Sequence, residues 1–172
     1  MNTNYSIGWH VMYVKSRTEK KVHESLLEMS IGSFLPLIKT VRKWSDRKKV
    51  VLQPLFPSYV FVNINSSLDF YKALSISGAC AYIRFGNQYA TVREEEINSI
   101  KILIGAEDIQ GLVVDQQIPE VGDKRTISYG PLCGLECEVL NINNTNKIIV
   151  RINSIQQSLT AVIPSYYLQD AV

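Results

Sequence analysis

Few of the residues on which catalysis, export or membrane insertion depend occur in this sequence. Its 172 residues include two histidines and three cysteines. No nucleophile motif surrounds His10 or His23, and no Gly-rich phosphate loop occurs. An odd number of cysteines without framework spacing fits reduced thiols rather than a secreted disulfide scaffold. Cys133 and Cys137 stand with three residues between them and no second ligand pair, so they read as small apolar residues rather than a zinc site. No apolar run approaches the ~20 residues that a bilayer-spanning helix needs. The first nine residues lack the basic start and apolar core of a signal peptide. These absences lead us to expect a non-enzymatic, cytoplasmic chain with no metal, cofactor or membrane contact.

What is present is ordinary for a globular protein, with 46% apolar and 20% charged residues. The formal net charge of +2 hides a division. Residues 1–104 carry 14 Lys and Arg against 8 Asp and Glu, whereas residues 105–172 carry 4 against 8. Residues 15–49 alone hold ten bases and four acids. A basic half beside an acidic half suggests two domains with different partners, the first of them a polyanion.

Periodicity orders the chain. Residues 9–15 read as a strand, followed by Ser16-Arg17-Thr18-Glu19, a capping-box pattern. The helix it opens keeps Val22, Leu26 and Met29 on one face, with Gly32 at its end. Residues 34–41 and 50–54 flank a basic stretch, residues 42–49, as a long hairpin with a charged tip. Residues 58–64 form the clearest strand. A second helix covers residues 68–75, capped by Ser66 or Ser67. Strands over 81–85 and 89–92 form a hairpin around Gly86-Asn87. A second capping box, Thr91-Val92-Arg93-Glu94, opens a third helix that buries Ile97, Ile100 and Ile104, with Glu94–Glu96 favouring the dipole of its first turn. Residues 106–118 read as a linker. Beyond it, short strands over 125–128, 136–142, 147–152 and 159–163 indicate a small antiparallel barrel. The fold class is therefore α+β: an N-terminal α/β sandwich with a mainly antiparallel sheet over 1–105, and a C-terminal β-barrel over 119–172.

One aromatic group carries more information than the rest. Trp9, Val11 and Tyr13 share a strand face by the period of two, while Phe56, Pro57 and Tyr59 stand at the entry to the clearest strand. Residues of this kind pack in cores as readily as they line surface hollows, and both readings stay open on pattern alone. A hollow at Leu55-Phe56-Pro57-Ser58 would suit an amphipathic partner helix.

Trp9-x-x-x-Tyr13, the basic helix start, the block Pro54-Leu55-Phe56-Pro57-Ser58-Tyr59-Val60-Phe61-Val62 and Ile83-Arg84-Phe85-Gly86 together resemble the N-terminal (NGN) domain of NusG-family transcription factors. Gly122-Asp123, followed by Ser128-Tyr129-Gly130-Pro131-Leu132-Cys133-Gly134, is similar to the start of that family's SH3-like KOW domain. The basic residues 42–49 leading into the Leu-Phe-Pro block look most like the specialised UpxY-type antiterminators, relatives of RfaH that serve capsular or surface polysaccharide operons. The resemblance implies a monomeric, processive antiterminator that binds the clamp helices of RNA polymerase through Trp9, Tyr13, Phe56, Pro57 and Tyr59. It implies contact with the non-template DNA strand through Lys15, Arg17, Lys20, Lys21 and Arg84; a solvated helix face is the alternative for the first four of these bases. The ribosome or Rho would be the partner of the KOW domain. A housekeeping elongation factor of the same fold and an RNA- or ribosome-binding KOW protein are the alternative functions. The acidic C-terminal half counts against the last, since RNA-binding barrels usually carry basic surface.

Overall fold

Aromatic and β-branched side chains along Gly8–Val14 make strand β1, around which the first sheet is assembled. The computed structural model describes residues 5–116, 122–128, 130–142 and 145–168. After β1 come helix α1 (Glu19–Glu28) and strands β2 (Gly32–Phe34), β3 (Leu37–Lys43), β4 (Lys48–Pro54) and β5 (Tyr59–Ile64). Helix α2 (Ser67–Leu74) and the short strands β6 (Ala79–Tyr82), β7 (Arg84–Phe85), β8 (Gln88–Tyr89) and β9 (Thr91–Val92) follow. The main sheet has the order β2-β5-β1-β6, with β9 also paired to β1, and all its pairs are antiparallel. On one face Met12, Val14, Val60, Val62 and Ile64 pack with Val22 and Leu26 of α1 and Phe70 and Ala73 of α2. Phe70 stacks on Tyr82 at 4.2 Å, and the Tyr82 hydroxyl donates to the Phe70 carbonyl at 3.1 Å. Helix α2 starts where the pattern places it, with the Ser66 hydroxyl accepting the Asp69 N–H at 3.1 Å.

Three local expectations are corrected. The first capping box does not form: Thr18 precedes α1, its hydroxyl donates to the Lys15 carbonyl at 2.6 Å, and Glu19 turns elsewhere. In the second, Thr91 is occupied in β9 opposite His10, and the third helix opens at Glu94. The left-handed residue after α1 is Ser30 (φ 59°), not Gly32. Gly32 serves the sheet instead, because a Cβ there would lie 2.9 Å from that of Asn63 on β5.

A second unit begins at Glu94, so the chain divides at Arg93/Glu94. It comprises helix α3 (Glu94–Gly105) and a five-stranded antiparallel sheet. Strands β10 (Gln110–Gln116), β11 (Asp123–Thr126), β12 (Glu136–Ile142), β13 (Thr145–Ile152) and β14 (Gln157–Ile163) lie in the order β10-β14-β13-β12-β11. The linker expected over 106–118 is thus a strand for most of its length, since Val113 and Val114 pair with Thr160 and Leu159. Composition hid it: a strand with two glycine- and acid-rich flanks becomes regular only when the edge of β14 offers its hydrogen bonds. Residues 117–121, the end of that linker and the start of the expected barrel, lie outside the described residues. Helix α3 groups with this second unit. The buried carboxylate of Glu96 accepts the Ser154 N–H at 3.1 Å and the Ser154 hydroxyl, fastening the helix to the turn between β13 and β14. Ile127, Leu132, Leu135, Ile148, Val150, Ile152, Leu159, Ala161 and Tyr167 are buried in this unit.

Counted by these two units, the charge division is sharper. The first unit holds 13 bases and 5 acids, the second 5 bases and 11 acids.

Candidate functional site

The face of the main sheet turned away from α1 and α2 is aromatic. The β1–β5 register sets Tyr13 opposite Tyr59, Val11 opposite Phe61 and Trp9 opposite Asn63, so these side chains share one face. Phe34 on β2 lies opposite Phe61 and joins them. The Tyr13 and Tyr59 rings meet edge to face at 6.0 Å, and Phe61 contacts Phe56 at 5.6 Å and Phe34 at 5.9 Å. Tyr13 is 45% exposed, Trp9 and Tyr59 are half-buried and Pro57 is exposed, whereas Phe56 and Phe61 are fully buried. Of the five residues singled out in the sequence, Tyr13, Pro57 and Tyr59 therefore offer surface, Trp9 offers part of its ring, and Phe56 forms the floor beneath them. Phe34 and Phe61 were missed. Phe61 was legible two residues after Tyr59, but Phe34 joins only through the β2–β5 pairing.

A tight turn presents this group. The Tyr59 N–H donates to the Phe56 carbonyl at 3.2 Å, and Ser58 takes the left-handed conformation (φ 66°). That conformation costs a non-glycine residue on the order of 1 kcal/mol or more. Hydrogen bonds on both sides of Ser58 hold it. Its N–H donates to Glu19 Oε1 at 2.9 Å, and its carbonyl accepts the Val14 N–H at 2.9 Å. Glu19 is 6% exposed, so this charge-assisted bond forms away from bulk water, where it is strongest. One carboxylate thus links the start of α1 to the aromatic turn.

The bases lie beside it. Lys15, Arg17, Lys20 and Lys21 are all exposed at the β1–α1 junction, and Arg17 is itself left-handed (φ 65°). The Lys20 ammonium donates to the Leu52 carbonyl of β4 at 3.1 Å, which ties α1 to the β3–β4 hairpin. Arg84 is also exposed but sits on a different element, the β7–β8 hairpin. Its guanidinium lies 4.8 Å from the Tyr89 ring centroid and donates to the Asn87 carbonyl at 3.2 Å.

Chemistry of other kinds finds little material. Among the described residues no three His, Cys, Asp or Glu side chains gather as a metal site would need. Cys133 is exposed, and burial pushes the Cys137 thiol up to about 11, away from the reactive thiolate. Desolvation lowers the His23 pKa against the opposing charge of Glu24, and its Nδ1 lies 2.8 Å from the Ser33 hydroxyl. No helix among the described residues is long and apolar enough to cross a membrane.

A family model described as "NusG: Transcription termination factor nusG" matches residues 8–101, more than half of the chain. Among solved structures, one described as "Domain interaction in Thermotoga maritima NusG" is 22% identical, with 91% of this chain and 93% of that chain covered and a TM-score of 0.49. Two conformations of the MjSpt4:Spt5 complex are 14% identical over 88% of this chain, with 91% and 90% of those chains covered and TM-scores of 0.31 and 0.32.

Proposed function

This chain belongs to the NusG family of transcription factors, and from that premise we propose that it is a specialised, UpxY- or RfaH-like antiterminator acting in the cytoplasm on a capsular or surface polysaccharide operon. It works by binding rather than by catalysis. Its aromatic face takes the clamp helices of RNA polymerase, with Tyr13, Tyr59, Pro57 and the edge of Trp9 in contact and Phe56 supporting them from below. A factor that binds the closed, elongating clamp more tightly than the paused one shifts the population by that difference in affinity, and pausing and termination fall accordingly. Lys15, Arg17, Lys20, Lys21 and Arg84 meet the displaced non-template strand.

The observation that carries this reading is the Tyr13–Tyr59 pair, exposed at Tyr13 and half-buried at Tyr59, beside buried phenylalanines and within the segment matched to the family. An aromatic pair left open beside buried rings is a good anchor for an amphipathic helix, and such anchors are typically worth ~2 kcal/mol or more. Tyr13→Ala should therefore weaken binding to core polymerase about thirtyfold in a titration without nucleic acid, while the thermal transition stays near wild type. Wild-type affinity in this variant, or loss of the folded first unit, would contradict the reading. Mapping where the factor travels with polymerase separates an operon-specific antiterminator from a genome-wide elongation factor.

A further inference from the structure

Among the described residues the β3–β4 hairpin is a sheet of its own, two strands with no third. Seven residue pairs run from Leu37↔Pro54 to Lys43↔Lys48, and every residue from 41 to 50 is exposed. The ribbon carries six bases, Lys39, Arg42, Lys43, Arg47, Lys48 and Lys49, against the single acid Asp46. Paired residues share a face, so the register sorts these bases. Lys43 and Lys48 lie on one face with Val41, Val50, Lys39 and Leu52, whereas Arg42 and Lys49 lie opposite each other on the other face. Positive charge therefore covers both faces of the ribbon and its tip. The tip also holds Trp44, 61% exposed, with its N–H on the Arg47 carbonyl at 2.8 Å.

Two cross-strand pairs of like charge destabilise a ribbon that is already marginal by itself. Lysines on an edge strand do discourage pairing with other chains. That role leaves Val41, Val50, Leu52 and Trp44 unexplained, exposed at 59%, 61%, 50% and 61%. A polyanion with walls on both sides of the ribbon accounts for the whole set. The B-form major groove, ~12 Å wide, admits a two-stranded ribbon and presents phosphates to both of its faces, with thymine methyls and base edges between them. The deep, narrow major groove of duplex RNA does not admit side chains. The stem is held at fixed places: the Leu55 N–H donates to the Pro36 carbonyl at 2.9 Å, and Lys20 bonds Leu52.

We propose that the β3–β4 hairpin is a duplex-DNA-binding prong that enters the major groove, with Lys43 and Lys48 meeting one phosphate wall, Arg42 and Lys49 the other, and Trp44 leading at the tip. It is a second nucleic-acid surface, apart from the bases assigned to the non-template strand, and it does not depend on the polymerase reading because free duplex DNA is its ligand.

The test is fluorescence anisotropy of the full-length protein with a labelled duplex DNA, the matching single strand and the matching duplex RNA, over a salt series. The wild type should prefer duplex DNA to both others. Lys43→Glu with Lys48→Glu should weaken duplex binding at least about tenfold and lower the salt slope by about 0.9 for each lost phosphate contact. Lys43→Gln with Lys48→Gln should fall between, and Trp44→Ala should lose a few-fold with the slope unchanged. Lys72→Glu with Lys147→Glu, the same change in net charge placed elsewhere, should leave binding near wild type. Equal loss in that control pair would reduce the effect to the general positive field and overturn the proposal. Equal affinity for the single strand or the RNA duplex would overturn the groove. No duplex binding at low salt, with the hairpin variants weakening attachment to polymerase instead, would make an acidic protein surface the partner and overturn it as well.

Discussion

The two units treat their polar and aromatic chemistry in opposite ways. Eleven of the thirteen large apolar side chains left exposed among the described residues belong to the first unit, and only Val113 and Tyr166 to the second. The first unit also carries most of the positive charge, and at its β1–α1 junction and hairpin tip that charge stays in solvent. The second unit turns its polar groups inward. Arg151 forms a two-pronged ion pair with the buried Glu138, Glu96 caps Ser154, and Asp108 accepts from the hydroxyls of both Tyr166 and Tyr167. The first unit leaves aromatic and basic side chains in solvent, whereas the second pairs its buried carboxylates internally, although Asp108 Oδ1, Gln157 Oε1 and Ser158 Oγ are buried there without a hydrogen-bond partner. Mutations should accordingly damage binding in one and folding in the other.

The largest effect is expected where a buried charge loses its partner. Arg151→Ala takes the two-pronged guanidinium partner from Glu138, whose side chain is 6% exposed. That should cost about 3 to 5 kcal/mol in denaturant unfolding. Replacing both residues with apolar ones, Arg151→Met with Glu138→Leu, should restore most of the loss. If the single and double variants are equally destabilised, the pair is not what holds β12 to β13.

Next comes Glu19, the one place where the first unit uses a buried carboxylate as the second does. Glu19→Ala removes the acceptor of the Ser58 N–H and should destabilise by about 2 kcal/mol. Glu19→Gln keeps an oxygen acceptor and should recover a good part of it. Both polymerase affinity and protection of the Ser58 amide from hydrogen exchange should follow the same order. Loss of affinity with unchanged Ser58 protection would mean that Glu19 touches the partner itself rather than positioning the turn.

The smallest effect is pH-dependent. Hydrogen bonds from Tyr166 and Tyr167 hold the Asp108 carboxyl below its ordinary value. A lowered folded pKa stabilises the protein at pH values above the unfolded pKa of ~3.9, and this contribution fades as pH falls through the lowered folded value. Acid unfolding of the second unit should therefore steepen below pH ~4. Tyr166→Phe with Tyr167→Phe should flatten it, and an unchanged acid limb would deny the coupling.

These contrasts also explain what could be read from the sequence. Strand β5 and helix α2 with its Ser66 cap rest on local periodicity and local hydrogen bonds, so pattern was enough. The long basic hairpin was legible for the same reason, since its strands are adjacent in the chain. Glu19 was not, because its capping-box spacing is local while its actual donor, Ser58, lies 39 residues away. Strand β10 needed the edge of β14, and Gly32 needed the Cβ of Asn63. In the candidate site, alternation and turn position single out Tyr13, Pro57 and Tyr59, whose side chains reach solvent, whereas Phe56 is buried. Periodicity assigns a face to a side chain but does not say how deep in that face it lies.

The difference between the units is tested most directly by placing a photoreactive phenylalanine at Tyr13, and separately at Tyr166, in the full-length protein bound to RNA polymerase. Both positions are exposed to nearly the same degree, 45% and 46%, so accessibility does not bias the comparison. The aromatic face of the first unit should crosslink to the clamp helices of the largest subunit from Tyr13, and Tyr166 should not reach them. Clamp-helix crosslinks from Tyr166 with none from Tyr13 would contradict the account.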